Sequence, residues 1–113
     1  MSEYIPDSWV VLKIVNEDET LYKVLAGWSG GYLDGDSWRM NSGITKATIG
    51  GNHAVFEGAS GSRYRCHRDG YRLTMATSGV YNQLKEKFGD AVELMPEATD
   101  WMDVEGLNND TTN

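Results

Sequence analysis

The chain predicts a mainly β (α+β) domain: a small antiparallel, partly closed barrel or curled sheet with one helix over residues 79–88. Three observations lead there: period-two alternation in several short runs, glycine-rich turns between those runs, and helical period in a single segment.

Residues 9–15 are apolar at both parities except Lys13, which predicts a central strand buried on both faces. Asn16-Glu17-Asp18-Glu19 turns the chain. In 21–28 the residues Tyr22, Val24, Ala26 and Trp28 then share one face, completing a first hairpin. A strand over 37–41 would point Trp38 and Met40 inward and Ser37, Arg39 and Asn41 outward. Another follows over 44–49, and Gly50-Gly51-Asn52 leads into a strand over 53–57.

Arg68-Asp69-Gly70-Tyr71 centres an Asp-Gly pair between two alternating runs, which predicts a two-residue type I′ hairpin. Its register sets His67 opposite Arg72, Cys66 opposite Leu73, Arg65 opposite Thr74 and Tyr64 opposite Met75. Tyr64, Cys66, Leu73 and Met75 would line the core; Arg63, Arg65, His67 and Arg72 would form a basic face.

Val80, Tyr81, Leu84 and Phe88 recur on one side of the helical segment. Ser78 suits the N-cap, Lys85 and Lys87 the negative end, and Gly89 the left-handed C-terminal position. Residues 91–95 read as a last strand. Pro96 opens a short second helix grouping Ala98, Trp101, Met102 and Glu105, and 107–113 read as disordered. The expected organisation is one β-rich domain over 1–95 followed by an acidic tail over 96–113.

A length of 113 residues and a hydrophobic fraction of 40% suffice for one modest core. The net charge of −7 is not spread evenly: all ten Lys and Arg lie before Phe88 with ten acids, and seven acids follow it without a base. That block disfavours nucleic acid as a partner. The single cysteine, Cys66, rules out an intramolecular disulfide and a multi-cysteine metal cage. The first residues lack the basic and apolar regions of a secretory signal, and no window is apolar for the ~20 residues that cross a bilayer, so a soluble protein without membrane contact is expected.

No motif defines a reaction. Cys66 would need His53 as its base, because His67 is its strand neighbour and points the other way. Gly58-Ala59-Ser60-Gly61-Ser62 misses the last glycine of a nucleophile elbow. Asp34-Gly35-Asp36 has Trp38 where a calcium loop needs an oxygen donor. The glycines fit neither dinucleotide nor phosphate-loop spacing. Neither a metal site nor a cofactor is therefore expected.

Two binding surfaces remain. The connection over 28–44 gathers Trp28, Tyr32, Asp36, Trp38 and Arg39 among glycines, a composition suited to recognition. The basic face of Arg63, Arg65, His67 and Arg72 could cradle phosphates or carboxylates.

Trp9-Val10-Val11-Leu12-Lys13-Ile14, Tyr22-Lys23-Val24, Trp28-Ser29-Gly30-Gly31-Tyr32, the run from Gly35 to Ile44 and Gly61-Ser62-Arg63-Tyr64-Arg65-Cys66 together resemble a family of small uncharacterised proteins of marine tailed bacteriophages, chiefly those infecting cyanobacteria. The likeness covers most of residues 9–75, excludes the acidic tail and supplies no catalytic residue. It implies a phage origin, with action in the cytoplasm of the infected cell or in the virion. The leading expectation is thus a non-enzymatic accessory protein that contacts a host or phage protein through the 28–44 connection and the acidic tail. The alternatives are a nucleic-acid or phosphate-ligand binder using the basic face and, third, an enzyme of unknown class.

Overall fold

A computed structural model of the chain describes residues 3–17, 19–31, 35–97, 99 and 101, with backbone only for 29–31, 35 and 36. In chain order the elements are β1 (Glu3–Tyr4), β2 (Ser8–Val15), β3 (Thr20–Gly31), β4 (Gly35–Met40), β5 (Ile44–Gly50), β6 (His53–Gly58), β7 (Arg63–His67), α1 (Met75–Phe88) and β8 (Val92–Leu94). Two four-stranded sheets form, in the orders β1-β7-β6-β5 and β4-β3-β2-β8. Every pairing is antiparallel except β1 with β7. The mainly β architecture with one helix is as expected, its strands shared between two stacked sheets that do not close into a barrel.

The layering follows from the two parities of β2. Trp9 and Val11 face the first sheet, where they join Tyr22, Val24, Ala26, Ala47, Phe56, Tyr64 and Cys66. Val10 and Leu12 face the other way and pack with Leu25 and Val92 under Val80, Tyr81 and Leu84 of α1. A strand apolar at both parities therefore sits in the middle layer of three.

Trp101 also belongs to the inter-sheet core. It is 6% exposed, and its ring centroid lies 6.0 Å from Trp9, 5.8 Å from Phe56 and 6.0 Å from Tyr71. After Pro96, Thr99 donates from both its N–H (3.1 Å) and its Oγ1 (2.7 Å) to the Pro96 carbonyl; Ala98, Met102 and Glu105 of the expected second helix, and 107–113, lie outside the described residues. Tyr71 ties this region down: its hydroxyl accepts from the Val11 N–H at 3.2 Å and donates to the Met95 carbonyl.

The Asp-Gly hairpin does not form. Arg68–Gly70 is a 3-10 turn, and Gly70 has no positive φ, which a type I′ turn would require. β6 takes one edge of β7 and β1 the Arg63–Tyr64 end of the other, while the chain after the turn goes to β2 instead: Tyr71 bridges Trp9 and the Arg72 N–H donates to the Trp9 carbonyl at 3.1 Å. Glycine is needed at 70 for room, since a Cβ there would lie 3.0 Å from the Asp7 carbonyl oxygen. The two-residue turn is Gly51-Asn52 instead, with Gly51 at φ +44° and Gly50 paired to His53.

Helix α1 starts four residues before the expected 79. Thr74, not Ser78, is its N-cap: the Thr77 N–H donates to Thr74 Oγ1 (3.4 Å) and the Thr74 N–H to Thr77 Oγ1 (2.8 Å). Met75, placed in the core by the hairpin register, is consequently 88% exposed. At the other end Gly89 has φ +59° as expected, and Lys85 Nζ donates to the carbonyls of Gly89 and Val92.

Candidate functional site

The 28–44 connection does not present one surface. Trp28 pairs with Ser37, Gly27 with Trp38 and Ala26 with Arg39, so Trp28 and Arg39 lie on one face of the sheet and Trp38 on the other. Trp28 closes one end of the inter-sheet core: its indole N–H donates to the Ile5 carbonyl at 3.0 Å, and its ring meets Tyr4 edge-on at 6.3 Å. Arg39 lies over the Tyr4 ring, 4.6 Å from its centroid. Burial raises the pKa of the neighbouring Tyr64, and Arg39 offsets part of that rise. Tyr32 is outside the described residues, and Asp36 is placed in β4 by its backbone alone.

Asn41 reverses its expected direction. It is 5% exposed, and its Oδ1 accepts the Val24 N–H at 2.9 Å where β4 leaves β3, so an amide side chain replaces a strand partner. Trp38, expected inward, is 49% exposed.

The basic face also divides. Arg63, Arg65 and His67 do share the outer side of β7, by the alternation that buries Tyr64 and Cys66. Arg72 belongs to the turn before α1, where its Nη2 donates to the Asp7 carbonyl at 3.5 Å. Two carboxylates occupy the same outer side. Glu3 bonds Arg65 at 2.9 Å, and Glu57 is the cross-strand partner of Arg63. The Arg63 Nε is buried without a hydrogen-bond partner.

Cys66 and His53 are on opposite sides of one sheet, because Cys66 pairs with Ala54 and His53 pairs with His67. The thiol is fully buried, and desolvation pushes its pKa far up, away from the reactive thiolate. Ser60 belongs to a turn, its N–H and Oγ both within hydrogen-bond range of Ser42 Oγ (3.1 and 3.3 Å).

Sequence reasoning missed the concavities of the surface, of which two have aromatic or apolar walls. One, of about 350 Å³, is lined by Trp9, Ile49, Arg68, Tyr71, Glu97, Thr99 and Trp101. Its aromatic walls are almost wholly committed to the core, since Trp9 is 2% exposed. The other, of about 280 Å³, runs beside the C-terminal half of α1 between Ile14, Val15, Leu21, Lys23, Met40, Leu84, Phe88 and Ala91. The helix crosses its sheet in contact with β3, β4 and β8, and the groove lies beside its last turns, over the Ile14 end of β2 and the Leu21 end of β3. Trp38 lies on the same side of β4 as Met40, so it extends this apolar strip. A signal was present in the sequence: Phe88 at the end of the helical stripe and Val15 at the end of β2 are apolar positions with nothing assigned to cover them.

No family model, curated protein or solved structure matches the chain. Among the described residues no helix is long and apolar enough to cross a membrane.

Proposed function

We propose that this protein is a binding module without catalytic activity, docking an extended apolar segment of a partner protein along β4 and the groove beside α1. One observation carries the reading: β4 is a sheet edge that is unpaired among the described residues, Trp38 stands on it 49% exposed, and Met40 on the same side of the strand lines the groove with Leu21 and the half-exposed Phe88. A half-exposed aromatic ring on a free strand edge beside an apolar groove suits strand addition, in which backbone hydrogen bonds give affinity and side-chain pockets give selectivity. The phage resemblance sets the partner as a host or phage protein, met in the infected cell or in the virion. The acidic residues after Phe88 favour a partner with a basic flank.

Phosphate or nucleic-acid binding has less support. Glu3 and Glu57 oppose Arg63 and Arg65 on their own face, and Arg72 lies elsewhere.

The test is affinity capture from infected host lysate with wild-type protein, Trp38→Ser with Phe88→Ser, and Arg63→Ala with Arg65→Ala. The reading expects the first double variant to lose the partner and the second to keep it. Capture that survives Trp38→Ser with Phe88→Ser, or that collapses with Arg63→Ala and Arg65→Ala and with rising salt, overturns it. Concentration-dependent self-association abolished by the first double variant would replace the partner with a second copy.

A further inference from the structure

His53 and His67 take no part in the proposed docking surface. They are direct cross-strand partners at the ends of β6 and β7, on the outer side of their sheet, with ring centroids 4.4 Å apart and planes inclined by 40°. The backbone beneath them is held on both sides. Trp9 Nε1 donates to the His67 carbonyl at 2.6 Å, and the Arg68 N–H donates to the Asn52 carbonyl at 2.8 Å beside the tight Gly51-Asn52 turn. Among the described residues no side-chain hydrogen bond engages either imidazole, so the ring nitrogens are not committed to the fold.

Two imidazoles fixed this close match a chelate. An imidazole nitrogen sits about 2.0–2.1 Å from a bound zinc, hence the ring centre about 3.2 Å from it, and two rings subtending about 90–110° at the metal have centroids about 4.5–5.2 Å apart. The observed separation of 4.4 Å is within a few tenths of an ångström of the lower bound, the spacing a shared ion requires. Neutral imidazole selects zinc, nickel and copper over calcium and magnesium, which want oxygen donors. The neighbouring cations are already engaged: Arg65 with Glu3, and Arg68 Nη1 with the Gly51 carbonyl at 3.3 Å.

We propose that His53 and His67 form a two-imidazole site for one divalent transition-metal ion of the zinc, nickel or copper type, whose remaining positions are open to water or to a ligand from outside the chain. It lies on the sheet opposite the apolar groove and does not depend on the docking reading.

The experiment uses the full chain without an affinity tag, titrated with Ni²⁺ and with Zn²⁺ by calorimetry, with Mg²⁺ as control. One saturable Ni²⁺ site is expected, weakened about 100-fold or more by His53→Ala or by His67→Ala, because either change removes the chelate. In wild-type protein, paramagnetic broadening by Ni²⁺ in NMR spectra should be centred on residues 53 and 67. Absence of saturable binding up to about 1 mM ion, affinity retained in either single variant, or broadening centred elsewhere overturns the proposal.

Discussion

Trp101→Ala tests whether the chain beyond β8 is part of the fold. At 6% exposure the indole has left water almost completely, and a buried tryptophan hides roughly 150–250 Å², or about 4–6 kcal/mol at 25 cal/mol per Å². Core truncations of large aromatics measure about 3–5 kcal/mol. The lower end is expected here, because Trp9, Phe56 and Tyr71 can close partly over a space that opens onto the neighbouring cavity. A domain of this size has about 5–15 kcal/mol in all, so a loss of about 3 kcal/mol is a large share of it. Urea unfolding followed by far-UV circular dichroism reads the change without relying on the deleted fluorophore, and the slope of free energy on denaturant should stay constant. Trp38→Ala, which removes a half-exposed ring, should cost less than about 1 kcal/mol in the same assay. A Trp101→Ala midpoint within about 1 kcal/mol of wild type would show that the segment after Pro96 is not built into the core.

Three more expectations concern single contacts. Asn41→Ala should destabilise by about 1–3 kcal/mol in denaturant titration, because the buried Val24 N–H loses its acceptor; a neutral effect would mean another group takes it up. Gly27→Val should cost about 1–3 kcal/mol or more, since even a Cβ would lie 3.0 Å from Ser8 Oγ and from Thr77 Cγ2, and unchanged stability would contradict the close seating of α1 on β3. Burial, offset in part by the Val11 N–H, pushes the Tyr71 pKa up to about 12, so the folded state holds the phenolic proton more tightly than the unfolded chain. The sign follows: Tyr71 contributes fully below about pH 10 and loses that contribution as pH rises towards 12. Tyr71→Phe should therefore flatten the fall in thermal midpoint above pH 10, and an equally steep fall in the variant would remove Tyr71 as its cause.

The parts of the fold legible in the chain were those fixed by local pattern. The double parity of residues 9–15, the shared face of Tyr22, Val24, Ala26 and Trp28, the Gly51 turn and the Gly89 helix end all follow from residue type and spacing. What failed depended on distant partners. Asp69-Gly70 has the composition of a hairpin, but Tyr71 and Arg72 pair with Trp9 of β2 rather than with β7, and Gly70 serves a close passage past Asp7 that lies far away in sequence. Thr74 was masked as a cap because its partner three residues on is another threonine rather than Glu or Gln. Asn41 looks like a surface turn residue until the Val24 N–H of β3, just past the end of β4, needs an acceptor.

The same reasoning explains why the candidate surfaces moved. Within β7, alternation alone determines that Arg63, Arg65 and His67 face away from Tyr64 and Cys66, so that grouping does not depend on a hairpin after it. Whether such a face attracts anions depends on what the neighbouring strands place beside it, and β1 and β6 contribute Glu3 and Glu57. Charges that answer one another across a sheet contribute little to an external partner, because binding must first break the internal pair. An apolar strip has no such internal competitor. Trp38, Phe88 and Val15 stay half in water with no chain segment among the described residues to cover them, and every square ångström removed on docking is gain. The balance between the two faces therefore rests on desolvation rather than on charge count, which is why salt is the variable that separates them.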